Sequence, residues 1–158
     1  MTFKTADLSD EFGDEIQICE MAFQSYGAIH TFMGPISTLR VYEDNVKVRE
    51  ALTEIEQGSV LIVDGGGSLK CALLGDQLAA IAESRNLAGV IINGAVRDVS
   101  ELKKTHIGIL ALGSNPKKSK KNGAGERGVP LYFGGVHWHT GDYVYADEDG
   151  VVISKVKR

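Results

Sequence analysis

Short apolar runs alternate with amphipathic stretches through the middle of the chain. Three runs, 59–64, 90–93 and 107–112, are rich in Val, Ile and Leu and too short for helices, so they predict buried strands. The stretches between them, 68–86 and 99–105, have a helical pattern. Because strands and helices follow one another in turn, the sequence predicts a parallel β-α-β-α-β core.

Two helices and a strand are predicted before this core. Residues 7–26 have a helical pattern, and a strand is predicted over 36–42. Asp44 or Asn45 can then cap a second helix. We expect that helix to stop at Gly58, because glycine readily takes the left-handed conformation at a helix end.

The predicted elements are different in the last third of the chain. Only strands and turns are predicted there, at 129–136, 143–147 and 151–156, with Asp149-Gly150 as a hairpin turn. The preceding segment, 116–128, is polar and rich in Lys and Gly, so we expect a mobile, poorly ordered surface loop. The prediction is a single mixed α/β domain whose C-terminal third is β-rich.

The composition narrows the class of protein. The 158 residues include 17 Lys+Arg and 21 Asp+Glu, giving a formal net charge of -4. This balance argues against direct nucleic-acid binding, which needs a clustered cationic face, and favours small molecules or proteins as partners.

No apolar run approaches the ~20 residues of a membrane span. Cys19 and Cys71, predicted to be buried thiols in helical segments, suggest no disulfide framework, so we expect a cytoplasmic protein.

Two glycine-rich segments have weak functional signals. Gly123 to Gly128 matches the spacing of a dinucleotide-binding fingerprint, but a Lys-rich loop precedes it and a strand follows it, which is the wrong context. Lys70, after a Gly-Gly-Gly turn, could form a Schiff base with a carbonyl substrate. We interpret the first segment as a loop and Lys70 as a surface lysine.

Basic residues and histidines form two further candidate sites. The run from Lys117 to Lys121 could contact RNA or an acidic partner, although a solvated loop is the simpler interpretation. His137 and His139 lie on one face of a predicted strand and could bind a metal. Two ligands without a third are weak evidence, and histidines flanking a packed Trp138 are the alternative.

The strongest constellation joins a helix start to the end of a strand. Gly75 and Asp76 interrupt an apolar run and precede Gln77 and Leu78, so free amides are expected there that can hold an anion. Arg97 and Asp98 follow the strand at 90–93, where open α/β sheets usually bind ligands. Arginine can clamp a carboxylate, and aspartate can ligate a magnesium-like cation.

A purely structural interpretation competes with this one. Asp98 and Glu101 have the spacing of a capping box for the next helix, and Asp76 can be a helix cap. Spacing alone does not separate the two interpretations.

Five short motifs together resemble a known family. The chain is similar over nearly its whole length to the RraA-like family, which contains regulators of ribonuclease E activity and class II 4-hydroxy-4-methyl-2-oxoglutarate aldolases that also decarboxylate oxaloacetate. The motifs are Val63-Asp64-Gly65-Gly66-Gly67-Ser68, Gly75-Asp76, Gly94-Ala95-Val96-Arg97-Asp98, Phe133-Gly134-Gly135-Val136 and Tyr145-Ala146-Asp147.

The resemblance implies a fold and a site. The fold would be a three-layer β/β/α domain of the swivelling, phosphohistidine-domain type, assembled as a ring-shaped homotrimer with sites near subunit interfaces. The aldolase branch has an Asp, twenty residues, then Arg-Asp, which Asp76, Arg97 and Asp98 match. By this likeness, Arg97 and the amides of Gly75 to Leu78 would hold the substrate. Asp98 would ligate a divalent cation, Mg or Mn, with Asp76 and Glu101 nearby through water.

The resemblance therefore implies a metal-dependent lyase acting on 2-oxo acids through a stabilised pyruvate enolate. The alternative is a non-catalytic regulator that binds ribonuclease E, and the acidic residue at 98 favours catalysis. The segments 26–30 and 137–139 depart from the usual family pattern, which could alter substrate access. The longer bacterial aldolases have a C-terminal extension beyond the position of Arg158, so we expect lower efficiency on the larger substrate. No glycine motif in proper context supports adenosylmethionine binding.

Overall fold

The computed structural model describes residues 2–158, which form four helices and twelve strands. Their bounds in chain order are α1 Thr5–Phe12, β1 Ile16–Ile18, β2 Gln24–Ser25, β3 Phe32–Arg40, α2 Val46–Glu54, β4 Val60–Asp64, β5 Ala72–Leu74, α3 Asp76–Ser84, β6 Gly89–Val96, α4 Val99–Leu102, β7 Gly108–Ser114, β8 Glu126–Arg127, β9 Leu131–Phe133, β10 Val136–Trp138, β11 Tyr143–Asp147 and β12 Gly150–Ser154. A 3-10 turn, Gly13–Glu15, follows α1. No helix in this range is long and apolar enough to span a bilayer.

Strand β3 joins a parallel and an antiparallel part of one ten-stranded sheet. Its first residues pair antiparallel with β11, and its last residues pair parallel with β4. The parallel strands run in the order β3-β4-β6-β7, and the antiparallel strands in the order β1-β12-β11-β3. Strand β5 pairs with β6, β8 with β3 and β2 with β7, while β9 and β10 form a separate hairpin. The β-α-β-α-β core is therefore confirmed as β4-α3-β6-α4-β7.

The parallel strands are buried on both faces, because successive side chains point to opposite sides of a strand. Leu61 and Val63 belong to the core that includes residues of α2 and α3. Val60 and Ile62 belong to a second core with Trp138, whose side chain is fully buried. The sheet thus has helices on one face and strands on the other. This agrees with the mixed α/β class, while the swivelling, phosphohistidine-domain assignment stays a prediction.

The helix predicted over 7–26 is wrong beyond Phe12. Gly13 has φ 51 and ends α1, since glycine tolerates this left-handed region. Ile16–Ile18 then pairs antiparallel with β12, so sheet pairing overrides the helical pattern. Cys19 follows this strand and is buried and free, as predicted, but its segment is not helical.

The helix predicted over 68–86 is correct only from Asp76 onwards. Ala72–Leu74 forms β5, with three buried residues beside β6. A short apolar run has no periodicity that separates a strand from a helix, which explains the error. Cys71 lies just before this strand and is also a buried free thiol.

Two predictions about the C-terminal part are also wrong. Residues 129–136 do not form one strand, because a turn with Gly134 at φ 64 and Gly135 at φ 73 separates β9 from β10. The segment 116–128 is not a loose loop. Its backbone hydrogen bonds tie Lys117 to Ala72 and Lys120 to Glu43, at 2.8 Å each.

Candidate functional site

A cavity of about 330 Å³ lies between the first turns of α2 and α3 and the segment after β7. It borders the carboxyl ends of β5 and β6, the edge of the sheet at which the sequence places the site. Its lining residues are Asn45, Val46, Arg49, Glu50, Ala72, Gly75, Asp76, Gln77, Leu78, Arg97, Asp98, Lys118, Ser119 and Lys121. The helix start and the strand-end pair predicted to form a site are therefore both in its wall.

Asp98 turns its side chain away from the helix that it precedes. Its backbone is left-handed, with φ 59 and ψ 44, and it forms no side-chain cap of α4. Instead, its Oδ2 accepts a hydrogen bond from the amide of Asp76 at 3.0 Å. Glu101 and Leu102 donate only to the backbone oxygen of Asp98, at 3.0 and 2.9 Å. The capping-box alternative for Asp98 and Glu101 is therefore wrong, because the left-handed backbone directs the carboxylate to α3.

Gly75 permits this arrangement by having no side chain. A Cβ at this position would lie 2.6 Å from Asp98 Oδ2 and 3.3 Å from Arg97 Cγ. The backbone of Arg97 also donates to Leu74 at 3.0 Å, which holds the two strand ends together. The side chains of residues 97 and 98 thus meet the start of α3 only because residue 75 leaves room for them.

The first turn of α3 provides unoccupied amide donors. Gly75 is the N-cap and Asp76 the first helical residue. The Asp76 amide is occupied by Asp98, whereas the amides of Gln77 and Leu78 donate to no group in residues 2–158. Free amides and the positive end of the helix dipole favour a bound carboxylate. We call Gly75–Leu78 together with Arg97 and Asp98 the motif wall.

The sequence did not predict the other charged part of the cavity lining. We call Asn45, Arg49, Lys118 and Lys121 the lysine wall; all four line the cavity. The Lys121 ammonium donates to Asn45 Oδ1 at 2.9 Å. The run of lysines was noted in the sequence, but a run alone does not show which side chains face a cavity.

Buried Asp44 fixes the lysine wall in place. Its carboxylate accepts hydrogen bonds from the amides of Val46, at 3.1 Å, and Asn122, at 2.8 Å, and so joins the start of α2 to the segment after β7. Burial raises the pKa of Asp44, but the backbone amides more than offset this effect, so its pKa lies below the usual value. Asp44 or Asn45 was predicted to cap α2; Asn45 is the N-cap but forms no side-chain cap, and Asp44, one residue earlier, accepts the bond from the Val46 amide instead.

The carboxylates around the cavity can be compared with the ligands that a divalent cation needs. Asp98 is exposed, and its Oδ1 accepts no hydrogen bond within residues 2–158. Magnesium commonly binds one or two carboxylates, keeps several waters and takes remaining ligands from the substrate. The donor set therefore fits Mg or Mn, although no preformed group of three metal-ligating side chains exists in the described chain. Glu101 lies outside the cavity lining, with its carboxylate 3.9 Å from Lys104 Nζ.

The weaker candidates lie elsewhere. His137 and His139 are exposed, with ring centroids 6.4 Å apart, and flank Trp138 in the way that the alternative interpretation predicts. Lys70 is exposed. The glycines at 123–128 are followed by strand β9, not by a helix, so the dinucleotide interpretation has no structural support.

Sequence comparisons place the chain among known proteins. The RraA-like family model, described as Aldolase/RraA, matches residues 5–153. A Bacillus cereus protein, provisionally named 4-hydroxy-4-methyl-2-oxoglutarate aldolase, is 58% identical over 97% of this chain and 96% of its own length. An Alkalilimnicola ehrlichii protein with the same provisional name is 47% identical over 98% of this chain and 96% of its own.

Solved structures of other proteins also have a fold similar to that of this chain. A Geobacillus kaustophilus HTA426 structure, described as S-adenosylmethionine: 2-dimethylmenaquinone methyltransferase, has a TM-score of 0.97 and 57% identity, covering 98% of this chain and 96% of that one. The RNA-processing inhibitor RraA from Thermus thermophilis has a TM-score of 0.96 and 47% identity, covering 100% of this chain and 96% of that one. Three different activities are thus named among proteins of one fold.

Proposed function

The chain belongs to the RraA-like family, and from this premise we propose that it is a divalent-metal-dependent lyase of 2-oxo acids. The reactions would be cleavage of 4-hydroxy-4-methyl-2-oxoglutarate to pyruvate and decarboxylation of oxaloacetate. Both break a bond to C3 of the 2-oxo acid, leave its electron pair on C3 as a pyruvate enolate, and end with protonation of that carbon. One site can therefore support both reactions.

The observation that carries the proposal is the position of Asp98. Its carboxylate bonds to the start of α3 at 3.0 Å and not to its own helix, so it lies in the same cavity wall as Arg97. A residue needed only to cap α4 would have no reason to adopt this left-handed conformation. Strain of this kind is found at functional sites.

Each part of the motif wall has a role in the proposed reaction. The Arg97 guanidinium and the free amides of Gln77 and Leu78 would bind the substrate carboxylate and orient the bond to be broken. Arg97 would also offset negative charge that develops on the substrate. Asp98 would hold the divalent cation, which supplies Lewis-acid stabilisation of the enolate charge when it is bound. Asp76, which is exposed beside them, would order water that moves a proton.

Pyruvate release tests the proposal. Purified protein is incubated with oxaloacetate or 4-hydroxy-4-methyl-2-oxoglutarate and Mg²⁺ or Mn²⁺, with and without a chelator. We expect turnover that the chelator abolishes. Asp98→Asn is the informative variant, because asparagine tolerates the left-handed backbone and its amide oxygen still accepts the Asp76 bond. We expect it to fold normally and to lose about 100-fold or more in kcat/KM.

Glu56→Gln, which changes an exposed carboxylate outside the cavity lining, is the control. Metal-independent turnover would contradict the proposal, as would full activity of correctly folded Asp98→Asn.

A second candidate function is regulation of RNA processing. Its support is the 47% identity and the TM-score of 0.96 to the Thermus thermophilis inhibitor. In this role the protein would bind ribonuclease E without catalysis. A pull-down with ribonuclease E and an RNA-cleavage assay test it, and no binding at micromolar concentration would exclude it. The ring-shaped homotrimer and the cytoplasmic location stay predictions.

A further inference from the structure

The Arg97 guanidinium is held by a neutral partner. Its Nη1 donates to the backbone oxygen of Pro116 at 3.4 Å, which is its one side-chain hydrogen bond among residues 2–158. No carboxylate in this range forms an ion pair with it. Because a carbonyl group fixes the guanidinium without neutralising it, the positive charge stays available to an anionic substrate.

Pro116 lies in a turn that the side chain of Asn115 closes. Asn115 Oδ1 accepts a hydrogen bond from the amide of Lys117 at 2.9 Å, which makes the Asn-Pro-Lys sequence an Asx turn. The proline ring fixes φ at residue 116, and a residue that precedes proline avoids the helical region. The turn therefore has little conformational freedom once the Asn115 carboxamide is bonded.

Asn115 and Arg97 bind the two ends of one peptide group. The Pro116 carbonyl, which accepts from Arg97, and the Lys117 amide, which donates to Asn115, belong to the same planar unit. In a trans peptide the N–H and the C=O point in opposite directions. The hydrogen bond at the amide end therefore sets the direction in which the carbonyl meets the guanidinium.

The Asn115 turn is anchored beside the end of β6. Asn115 Nδ2 donates to the Leu69 oxygen at 2.7 Å, and the Asn115 amide donates to the Val96 oxygen at 2.9 Å. Val96 directly precedes Arg97, and Leu69 lies in the segment that leads into β5. The carboxamide thus holds the turn at a fixed place relative to the backbone of Arg97.

We infer that Asn115 is a positioning residue for the proposed reaction: it fixes the Pro116 carbonyl, which holds the Arg97 guanidinium in the orientation that receives the substrate carboxylate. This inference rests on the proposed function and adds to it a residue outside the cavity lining. Asn115 acts only through Arg97 and contacts no reacting atom. Without its carboxamide, Arg97 would stay charged but would lose its fixed orientation.

A double-mutant cycle tests whether Asn115 acts through Arg97. Pyruvate release from oxaloacetate with Mg²⁺ is measured for the unsubstituted protein, Asn115→Ala, Arg97→Met and the double variant. Alone, Asn115→Ala is expected to lower kcat/KM about tenfold or more. In the Arg97→Met background the same substitution is expected to have no further effect, because no guanidinium is left to orient.

Asn122→Ala is the matched control. Asn122 is exposed and does not line the cavity, and its backbone amide, not its side chain, donates to Asp44. The substitution is therefore the same in kind as Asn115→Ala but removes no side-chain hydrogen bond. We expect it to leave kcat/KM unchanged in both backgrounds.

A second readout does not depend on turnover. The Nε–H signal of Arg97 in a heteronuclear NMR spectrum is identified by its absence from Arg97→Met. Asn115→Ala is expected to shift or broaden this signal, and Asn122→Ala to leave it unchanged. Thermal unfolding checks that each variant folds. If Asn115→Ala does not fold, Asn115→Ser takes its place; its hydroxyl can close a weaker turn of the same kind, so we expect the same pattern with a smaller loss.

The outcomes separate failure of the inference from failure of the proposed function. Full kcat/KM in Asn115→Ala, or an equal loss with and without the Arg97 guanidinium, would overturn the inference and leave the proposed function standing. A loss of activity with an unchanged Arg97 Nε–H signal would have the same consequence. An unsubstituted protein that releases no pyruvate would overturn both.

Discussion

The two walls of the cavity are built in different ways. The motif wall consists of two short sequence motifs at the ends of adjacent parallel strands, β5 and β6. The lysine wall consists of the first turn of α2 and a segment that has almost no regular structure. The first is positioned by the sheet, and the second by the buried carboxylate of Asp44 together with backbone hydrogen bonds to Glu43 and Ala72.

This difference separates two kinds of functional contribution. The sheet places Arg97 and Asp98 with the precision that bond breaking needs, because their backbone is continuous with a buried strand. The lysine wall contributes exposed positive charge to the cavity, which does not need the same precision. We therefore expect changes in the motif wall to lower the rate of bond breaking, and changes in the lysine wall to act mainly on the affinity for anionic ligands.

The largest effect is expected from Arg97→Met. Loss of the guanidinium removes both the clamp on the substrate carboxylate and a positive charge near the reacting atoms, so kcat/KM is expected to fall about 100- to 1,000-fold. Decarboxylation of oxaloacetate measures this loss. Proton exchange at the methyl group of pyruvate, followed by NMR, is expected to fall by a similar factor because pyruvate uses the same clamp. A loss confined to oxaloacetate would contradict the division of roles between the walls.

The motif wall could be predicted from sequence because its signals are local. Gly75-Asp76 marks a helix start, and Arg97-Asp98 follows an apolar run that is unmistakably a strand. Spacing could not predict the direction of the Asp98 side chain. That direction depends on a left-handed backbone at residue 98, and the sequence shows only that Asp is a residue type that tolerates this conformation. The strand at 72–74 and the true end of α1 were missed because each depends on pairing with a distant strand.

The lysine wall could not be predicted because its organising contact spans the chain. Asp44 bonds to an amide 78 residues later, and no local pattern connects the two positions. The polar composition of 116–128 was typical of a mobile loop, but buried hydrogen bonds outweigh composition here. A pairing of this kind is visible only in three dimensions.

Asp44→Ala is expected to lower the free energy of unfolding by about 3 kcal/mol, because buried amides at both ends of the bridge lose their partner. The same variant is expected to raise the KM for oxaloacetate, since Lys121, which lines the cavity, loses its anchored segment. Denaturant unfolding measures the first effect and steady-state kinetics the second. Asp149→Ala, in an exposed turn, is the control. An unchanged KM for oxaloacetate in the folded Asp44 variant would show that the lysine wall does not depend on Asp44.

Acid is expected to weaken the same bridge. The pKa of Asp44 is lowered in the folded protein because the backbone amides outweigh the effect of burial, and the pKa of Asp147 is lowered for the same reason by Thr5 and its own turn. The unfolded chain therefore binds more protons than the folded chain near pH 4, so stability is full above that pH and is lost as the pH falls through the folded pKa values. Unfolding midpoints measured from pH 7 to pH 3 check this. A flat profile in the parent protein would contradict it.

Gly75→Ala is expected to lower kcat/KM about tenfold with little change in stability. A methyl group at this position would meet Asp98 Oδ2 at 2.6 Å, and the tip of that side chain can rotate away without disturbing the fold. The carboxylate would then leave its position beside α3. Steady-state kinetics and thermal unfolding, measured on the same sample, separate displacement of the site from loss of structure. A stability loss as large as that of Asp44→Ala would instead make Gly75 a packing residue.

Glu101→Gln is expected to have the smallest effect, a change of kcat/KM below about threefold. Glu101 shares the predicted capping box with Asp98, but its carboxylate is exposed on α4 and lies 3.9 Å from Lys104. Exposed ion pairs of this kind contribute little to stability, so Tm is expected to stay nearly constant as well. Kinetics with limiting Mg²⁺ give the sharpest comparison with Asp98→Asn. If Glu101→Gln needed a higher Mg²⁺ concentration for activity, Glu101 would also contribute to metal binding, through a water molecule, and would belong to the motif wall.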